Sequence, residues 1–108
     1  MSGLEAEEYV ARSLRGRGAS CTVDTKQPGA TDVDAIWPTG TRWLIQVKST
    51  ISRTRPAWPS RQELGRLKAR GTRLKATAVV ALVHRNKTIE FFSARNGRVL
   101  HPTDTRDL

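Results

Sequence analysis

Hydrophobic and polar residues alternate along two neighbouring stretches in the first half of the chain, which predicts a β-hairpin over residues 31–50. The stretches are separated by Pro38 and Gly40, two residues that favour turns. The apolar face of the second strand carries Trp43, Ile45 and Val47. Because side chains alternate between the faces of a strand, the residues between these three project from the other face.

That second face carries an unusual set of polar groups. Gln46 and Lys48 lie side by side on it, and we expect the paired strand to bring Asp34 next to them. A carboxylate, an amide oxygen and an ammonium group can together hold a divalent ion against a phosphodiester. A simple ion pair between Lys48 and Asp34 that braces the hairpin is the structural alternative, but it leaves Gln46 without a role.

Two helices with capping boxes are predicted on either side of the hairpin. Ser2 and Glu5 begin the first, which extends to about residue 17, and Ser60 and Glu63 begin the second, which extends to about residue 75. Further strands are predicted at 20–25, 77–83 and 88–92, followed by a turn and a short segment at 98–100. The order αβββαββ predicts a single α/β domain over residues 1–108, with a polar tail at about 101–108.

Glu7 lies in the middle of the apolar stripe predicted for the first helix. The stripe consists of Leu4, Val10, Ala11 and Leu14. An acid in such a place is costly unless it has a partner. Either the helix rolls so that Glu7 reaches solvent or a buried Arg, or Glu7 reaches the polar groups of the hairpin. The presence of Asp34, Gln46 and Lys48 favours the second interpretation.

The chain is strongly basic, with 19 Lys and Arg against 10 Asp and Glu and a net charge of +9. Arg dominates this excess and makes bidentate contacts with phosphate, so we expect a nucleic-acid partner rather than a merely solubilising surface. Trp58 lies in a loop rich in Pro and Arg, where it either stacks on a base or packs the loop onto the domain. The candidate DNA-binding residues are Lys26, Thr31, Arg53, Arg55, Trp58, Arg61, Arg66, Lys68, Arg70 and Arg73.

The cellular setting follows from two further features. Cys21 is the one cysteine of the sequence, which excludes an intramolecular disulfide and favours a reducing, cytoplasmic location. The acidic N-terminus does not resemble a signal peptide, and no apolar run is long enough for a membrane span. We therefore expect no membrane association.

Asp34, followed after the turn by Gln46-Val-Lys48, resembles the motif of the PD-(D/E)xK nuclease superfamily. With Glu7 on an N-terminal helix and the Leu64-Gly-Arg-Leu segment, residues 3–92 are similar to archaeal-type Holliday junction resolvases, the Hjc family. The resemblance implies a restriction-endonuclease-like fold and a homodimer that cuts four-way DNA junctions. It also implies Mg²⁺ or Mn²⁺ held by Asp34, Gln46 and Glu7, with Lys48 as a further catalytic residue.

The chain departs from the family at two places. The family has Glu at the position of Gln46, and the substitution removes one negative charge that Asp32, on the same face as Asp34, is expected to replace in part. The family also has a hydroxyl residue at the position of Ala30, for which Thr31 can substitute. Gln-x-Lys is found in Mrr-like restriction nucleases, so a restriction-type or nicking nuclease is an alternative function. A DNA-binding module without catalytic activity is a further alternative. Candidate dimer surfaces are Trp37, Phe91, Phe92 and the 99–100 edge.

Overall fold

The computed structural model describes residues 1–24 and 31–102, which form two α-helices and six β-strands. The helices are α1 (Gly3–Arg15) and α2 (Arg61–Leu74). The strands are β1 (Ser20–Val23), β2 (Val33–Ile36), β3 (Arg42–Ser49), β4 (Thr77–Val83), β5 (Ile89–Ser93) and β6 (Val99–Leu100). The observed order, αβββαβββ, contains one strand more than the predicted order αβββαββ. The additional strand is β6, the short segment after the last turn, which pairs with β5.

The six strands form a single mixed sheet in the order β1-β2-β3-β4-β5-β6. Strands β2 and β3 pair antiparallel, with Val33 opposite Ile45, so the predicted hairpin is confirmed. Strands β3 and β4 pair parallel, with Gln46 opposite Val80. A parallel pair needs a crossover connection, and α2 lies within the one that joins these strands. The polar residues of β3 consequently lie on a strand that has neighbours on both sides.

Alternation along β3 and β4 divides the core between the two faces of the sheet. Trp43, Ile45 and Val47 pack with α1, whereas Leu44 packs in a second cluster with Leu67 of α2. Strand β4 contributes residues to both clusters, as its continuous apolar run predicts. The domain is thus a sandwich with a mixed sheet between two helices, and the predicted fold class is confirmed.

Two expectations about exposed and buried residues are wrong. Leu4 is 56% exposed, and Ala6 takes its place in the buried stripe of α1. Trp37, Phe91 and Phe92 are buried, so none of these three side chains offers an exposed dimer surface, whereas Val99 of the edge strand β6 is exposed. The aromatic side chains fill the sheet faces instead, and Trp43 contacts both Trp37 and Phe91.

Both helices begin at the predicted serine caps. Ser60 accepts a hydrogen bond from the Glu63 backbone, and the Glu63 carboxylate accepts one from the Ser60 backbone, which completes the capping box of α2. This arrangement fixes the Glu63 side chain at the start of α2. Neither helix in the described part of the chain is long and apolar enough to cross a membrane.

Candidate active site

The expectation that Asp34 lies beside Gln46 and Lys48 is wrong. The hairpin register sets Asp34 opposite Leu44, toward the turn, whereas Gln46 and Lys48 lie toward the other end of the hairpin. Asp34 is instead paired with Arg42, whose Nε donates to Oδ1 at 3.0 Å and whose terminal nitrogen contacts the other carboxylate oxygen. Asp34 therefore braces the turn end of the hairpin.

Asp32 occupies the position that had been expected for Asp34. It comes directly before β2, and the register Val33 to Ile45 sets it opposite Gln46. Its Oδ2 accepts a hydrogen bond from the Val47 backbone at 2.8 Å and one from Gln46 Nε2 at 3.3 Å. The carboxylate of Asp32 thus satisfies a backbone donor of β3 just before the start of β2, and this contact fixes its position.

Glu7 reaches this place from α1. Its carboxyl lies within hydrogen-bonding distance of the Asp32 carboxyl, and burial together with the charge of Asp32 raises the pKa of Glu7 to about 7. Burial also raises the pKa of Asp32, against the opposing effects of the Val47 N–H and of Lys48. Like charges in contact disfavour simultaneous ionisation of the two carboxyl groups. Glu7 therefore reaches the hairpin at Asp32, not at Asp34.

Gln46 is 6% exposed, and its Oε1 has no hydrogen-bond partner in the described part of the chain. The Oγ1 atom of Thr31, which is buried directly before Asp32, also has none. Buried oxygens without partners are uncommon and call for a ligand, an ion or a water. No group of three or more His, Cys, Asp or Glu side chains poised for a metal occurs within residues 1–24 and 31–102. A cation here would use two carboxylates and an amide.

Lys48 is held from the opposite side by α2. Its Nζ donates to Glu63 Oε2 at 2.7 Å, while Glu63 Oε1 accepts the Ser60 N–H of the capping box. The hydrogen bond from Lys48 and the cap lower the pKa of Glu63 to about 2. Glu63 also lies close enough for its charge to raise the pKa of Asp32. Glu63 is therefore a fifth polar member of the cluster that Glu7, Asp32, Gln46 and Lys48 form.

The sequence pattern does not distinguish Asp32 from Asp34, and it gives no sign that Glu63 contacts Lys48. The residue next to Gln46 follows from the hairpin register, and a turn centred on Gly40, which adopts a φ of 91°, sets that register. Glu63 carried a sequence signal only as a helix cap. Its second contact depends on how α2 packs over the sheet, which no local pattern reveals.

The predicted DNA-binding residues are mostly at the surface. Trp58 is 42% exposed and its ring contacts Phe92 edge-on, with centroids 5.4 Å apart, so it packs the loop onto the domain while keeping an open face. Lys68 and Arg70 are half-buried, and Lys26 lies outside the described residues. Thr31 is buried, so its hydroxyl lies within the protein rather than on the outer surface. The remaining candidates are exposed: Arg53, Arg55, Arg61, Arg66 and Arg73.

Comparison with known proteins supports the fold. No protein-family model matches the sequence, and no curated protein does. Among solved structures, the chain is similar to Hjc, a Holliday junction resolvase from the archaeal hyperthermophile Archaeoglobus fulgidus, with a TM-score of 0.74 and 24% identity. The match covers 88% of this chain and 75% of that chain. The small α/β domain therefore has the fold of this resolvase, as the sequence predicted.

Proposed function

We propose that this protein is a divalent-metal-dependent endonuclease that cleaves branched DNA, with four-way junctions as its preferred substrate. The observation that carries the proposal is the convergence of Glu7, Asp32, Gln46 and Lys48 at one end of the β2–β3 hairpin. Glu7 comes from α1, Asp32 from the position directly before β2, and Gln46 and Lys48 from β3. Perturbed carboxyl groups that converge from different elements are typical of functional sites. The fold likeness to a Holliday junction resolvase supports the same reading.

The cluster is suited to Mg²⁺ or Mn²⁺, since these hard cations prefer oxygen ligands. Asp32 and Glu7 would supply carboxylate oxygens and Gln46 its partnerless Oε1. A bound ion offsets charge on a phosphate and lowers the pKa of a coordinated water. Asp32 takes the role that was predicted for Asp34, because Asp34 is engaged by Arg42 at the other end of the hairpin.

The chain's own groups then have distinct tasks. Lys48 is an ammonium donor held by Glu63, so it can donate a hydrogen bond to a phosphate oxygen and offset negative charge that develops there. Glu7 and Asp32 would hold the cation, and Asp32 is itself oriented by the Val47 N–H. The exposed Arg side chains and the net charge of +9 would bind the phosphate backbone. A homodimer would supply two such sites for the two cuts of a junction.

The proposal is tested by cleavage of a labelled four-way junction beside a linear duplex built from the same arms. Each substrate is incubated with Mg²⁺, Mn²⁺ or EDTA. The decisive variants are Asp32→Asn and Asp34→Asn, which make the same chemical change two residues apart. We expect paired cuts in the junction, loss of cleavage in EDTA and in Asp32→Asn, and near wild-type cleavage in Asp34→Asn.

Other outcomes assign other functions. Equal cleavage of junction and duplex would indicate a restriction-type or nicking nuclease, which the Gln46-x-Lys48 variant of the motif also suits. Binding that weakens steeply with salt, with no cleavage under either metal, would indicate a DNA-binding module that has lost its activity. Loss of cleavage in Asp34→Asn but not in Asp32→Asn would overturn the assignment of Asp32.

A further inference from the structure

Glu63 stands out among the polar groups near the site because it lies outside the nuclease motif and yet contacts Lys48. It projects from the first turn of α2, not from the hairpin. One carboxylate oxygen accepts the Ser60 N–H and the other accepts Lys48 Nζ at 2.7 Å. A capping box needs only the first of these bonds, so the second calls for a separate explanation.

The charge balance of the site gives that explanation. Position 46 carries a neutral amide, so β3 contributes a positive charge at Lys48 and no negative charge beside it. Without a counter-charge, the Lys48 ammonium would be balanced by Asp32 and would compete with a cation for that carboxylate. Glu63 is ionised and lies within electrostatic reach of both Lys48 and Asp32.

We propose that Glu63 is a positioning residue that supplies, from α2, the negative charge that position 46 lacks, and that it holds Lys48 away from the cation-binding carboxylates. This inference rests on the proposed cation site. It extends that site beyond the hairpin, because the start of α2, which precedes the exposed Arg66 and Arg73, then becomes part of the catalytic assembly. The backbone N–H of Ser60, which donates to Glu63 Oε1, helps to hold the Glu63 carboxylate in this place.

The test is Mn²⁺ binding measured by isothermal titration calorimetry, which does not depend on cleavage. Glu63→Gln removes the charge but keeps the cap, since Gln also completes a capping box. We expect Mn²⁺ to bind about tenfold more weakly to this variant, a change equivalent to ~1.4 kcal/mol. Ser60→Ala is the matched control, because it weakens the cap and leaves the Glu63 carboxylate in place. It should lower the melting temperature without a comparable loss of Mn²⁺ affinity.

A negative charge placed at position 46 should rescue Mn²⁺ binding in the Glu63→Gln variant. Gln46→Glu introduced into the Glu63→Gln variant returns one negative charge to the site, and we expect it to restore most of the lost Mn²⁺ affinity. Unchanged Mn²⁺ affinity in Glu63→Gln would overturn the inference, and so would failure of wild type to bind Mn²⁺ at all. An equal loss in Ser60→Ala would overturn it too, since the effect would then arise from the cap.

Junction cleavage by the same variants separates this inference from the proposed function. If wild type cleaves and Asp32→Asn does not, but Glu63→Gln binds Mn²⁺ like wild type, the function stands and the role of Glu63 is refuted. If wild type binds Mn²⁺ without cleaving, and Glu63→Gln weakens that binding, the role of Glu63 stands and the nuclease activity is refuted.

Discussion

Helix α2 contains two glycines for which the same substitution should have opposite effects on stability. A Cβ atom built at Gly65 meets nothing within 4 Å, and the residue is exposed on the helix surface. A Cβ atom at Gly71 lies 3.1 Å from the Ala76 carbonyl oxygen and 3.3 Å from Ala78 Cβ. Gly71 therefore permits the close approach of α2 to the start of β4.

The magnitudes follow from these contacts. Gly65→Ala should raise the free energy of unfolding by ~0.5–1 kcal/mol, because Ala fits a helix interior better than Gly by about that amount. Gly71→Ala makes the same gain, but overpacking a tight contact costs ~1–3 kcal/mol, so we expect a net loss of about 1 kcal/mol. The Ala76 backbone cannot easily move away from an added methyl group, because its N–H donates to the Gly71 carbonyl at 2.8 Å.

Urea unfolding followed by circular dichroism measures both changes, and a thermal melt provides a second readout. A change of 1 kcal/mol corresponds to a shift of roughly 4 °C or more in melting temperature for a domain of this size. The double variant should lie near the sum of the two single effects. A Gly71→Ala protein as stable as Gly65→Ala would refute the reasoning, because the contact with β4 would then carry no steric cost.

Two further predictions concern the site and the DNA-binding surface. In EDTA, the free energy of unfolding should fall as the pH rises from 4.5 to about 7, because folded Glu7 keeps a proton that the unfolded chain has lost. Urea titrations at several pH values measure this slope, and Glu7→Gln should remove it. An unchanged slope in Glu7→Gln would contradict this. Trp58→Ala should weaken DNA binding about fivefold or more in fluorescence anisotropy, since stacking on a base contributes ~1–3 kcal/mol. Unchanged affinity with a lowered melting temperature would show that Trp58 only packs on Phe92.

Sequence patterns predicted the elements well where one local rule decides the outcome. The alternation of Trp43, Ile45 and Val47 predicted the two faces of β3, and the capping box of Ser60 and Glu63 predicted the start of α2. The continuous apolar run of β4 predicted burial on both faces. In each case the physical signal lies within a few consecutive residues.

The predictions that failed depend on register and packing. Asp32 and Asp34 lie on the same face, so periodicity cannot choose between them, and only the strand pairing does. Trp37 continues the alternation of the buried residues Val33 and Ala35, but it follows the strand and precedes a Pro, so the sequence does not show that it packs against Trp43. The contact of Glu63 with Lys48 depends on the docking of α2 over the sheet.

The parallel pairing of β3 with β4 bears on how the chain folds. Glu7, Asp32, Gln46 and Lys48 all come from α1 and the antiparallel strands that precede α2, and such neighbours close short loops. The β3–β4 pair can form only when the long connection that contains α2 has brought the two strands together. During synthesis β3 is consequently an edge strand with an apolar face until β4 emerges, and this interval is when the nascent chain is most exposed to intermolecular pairing.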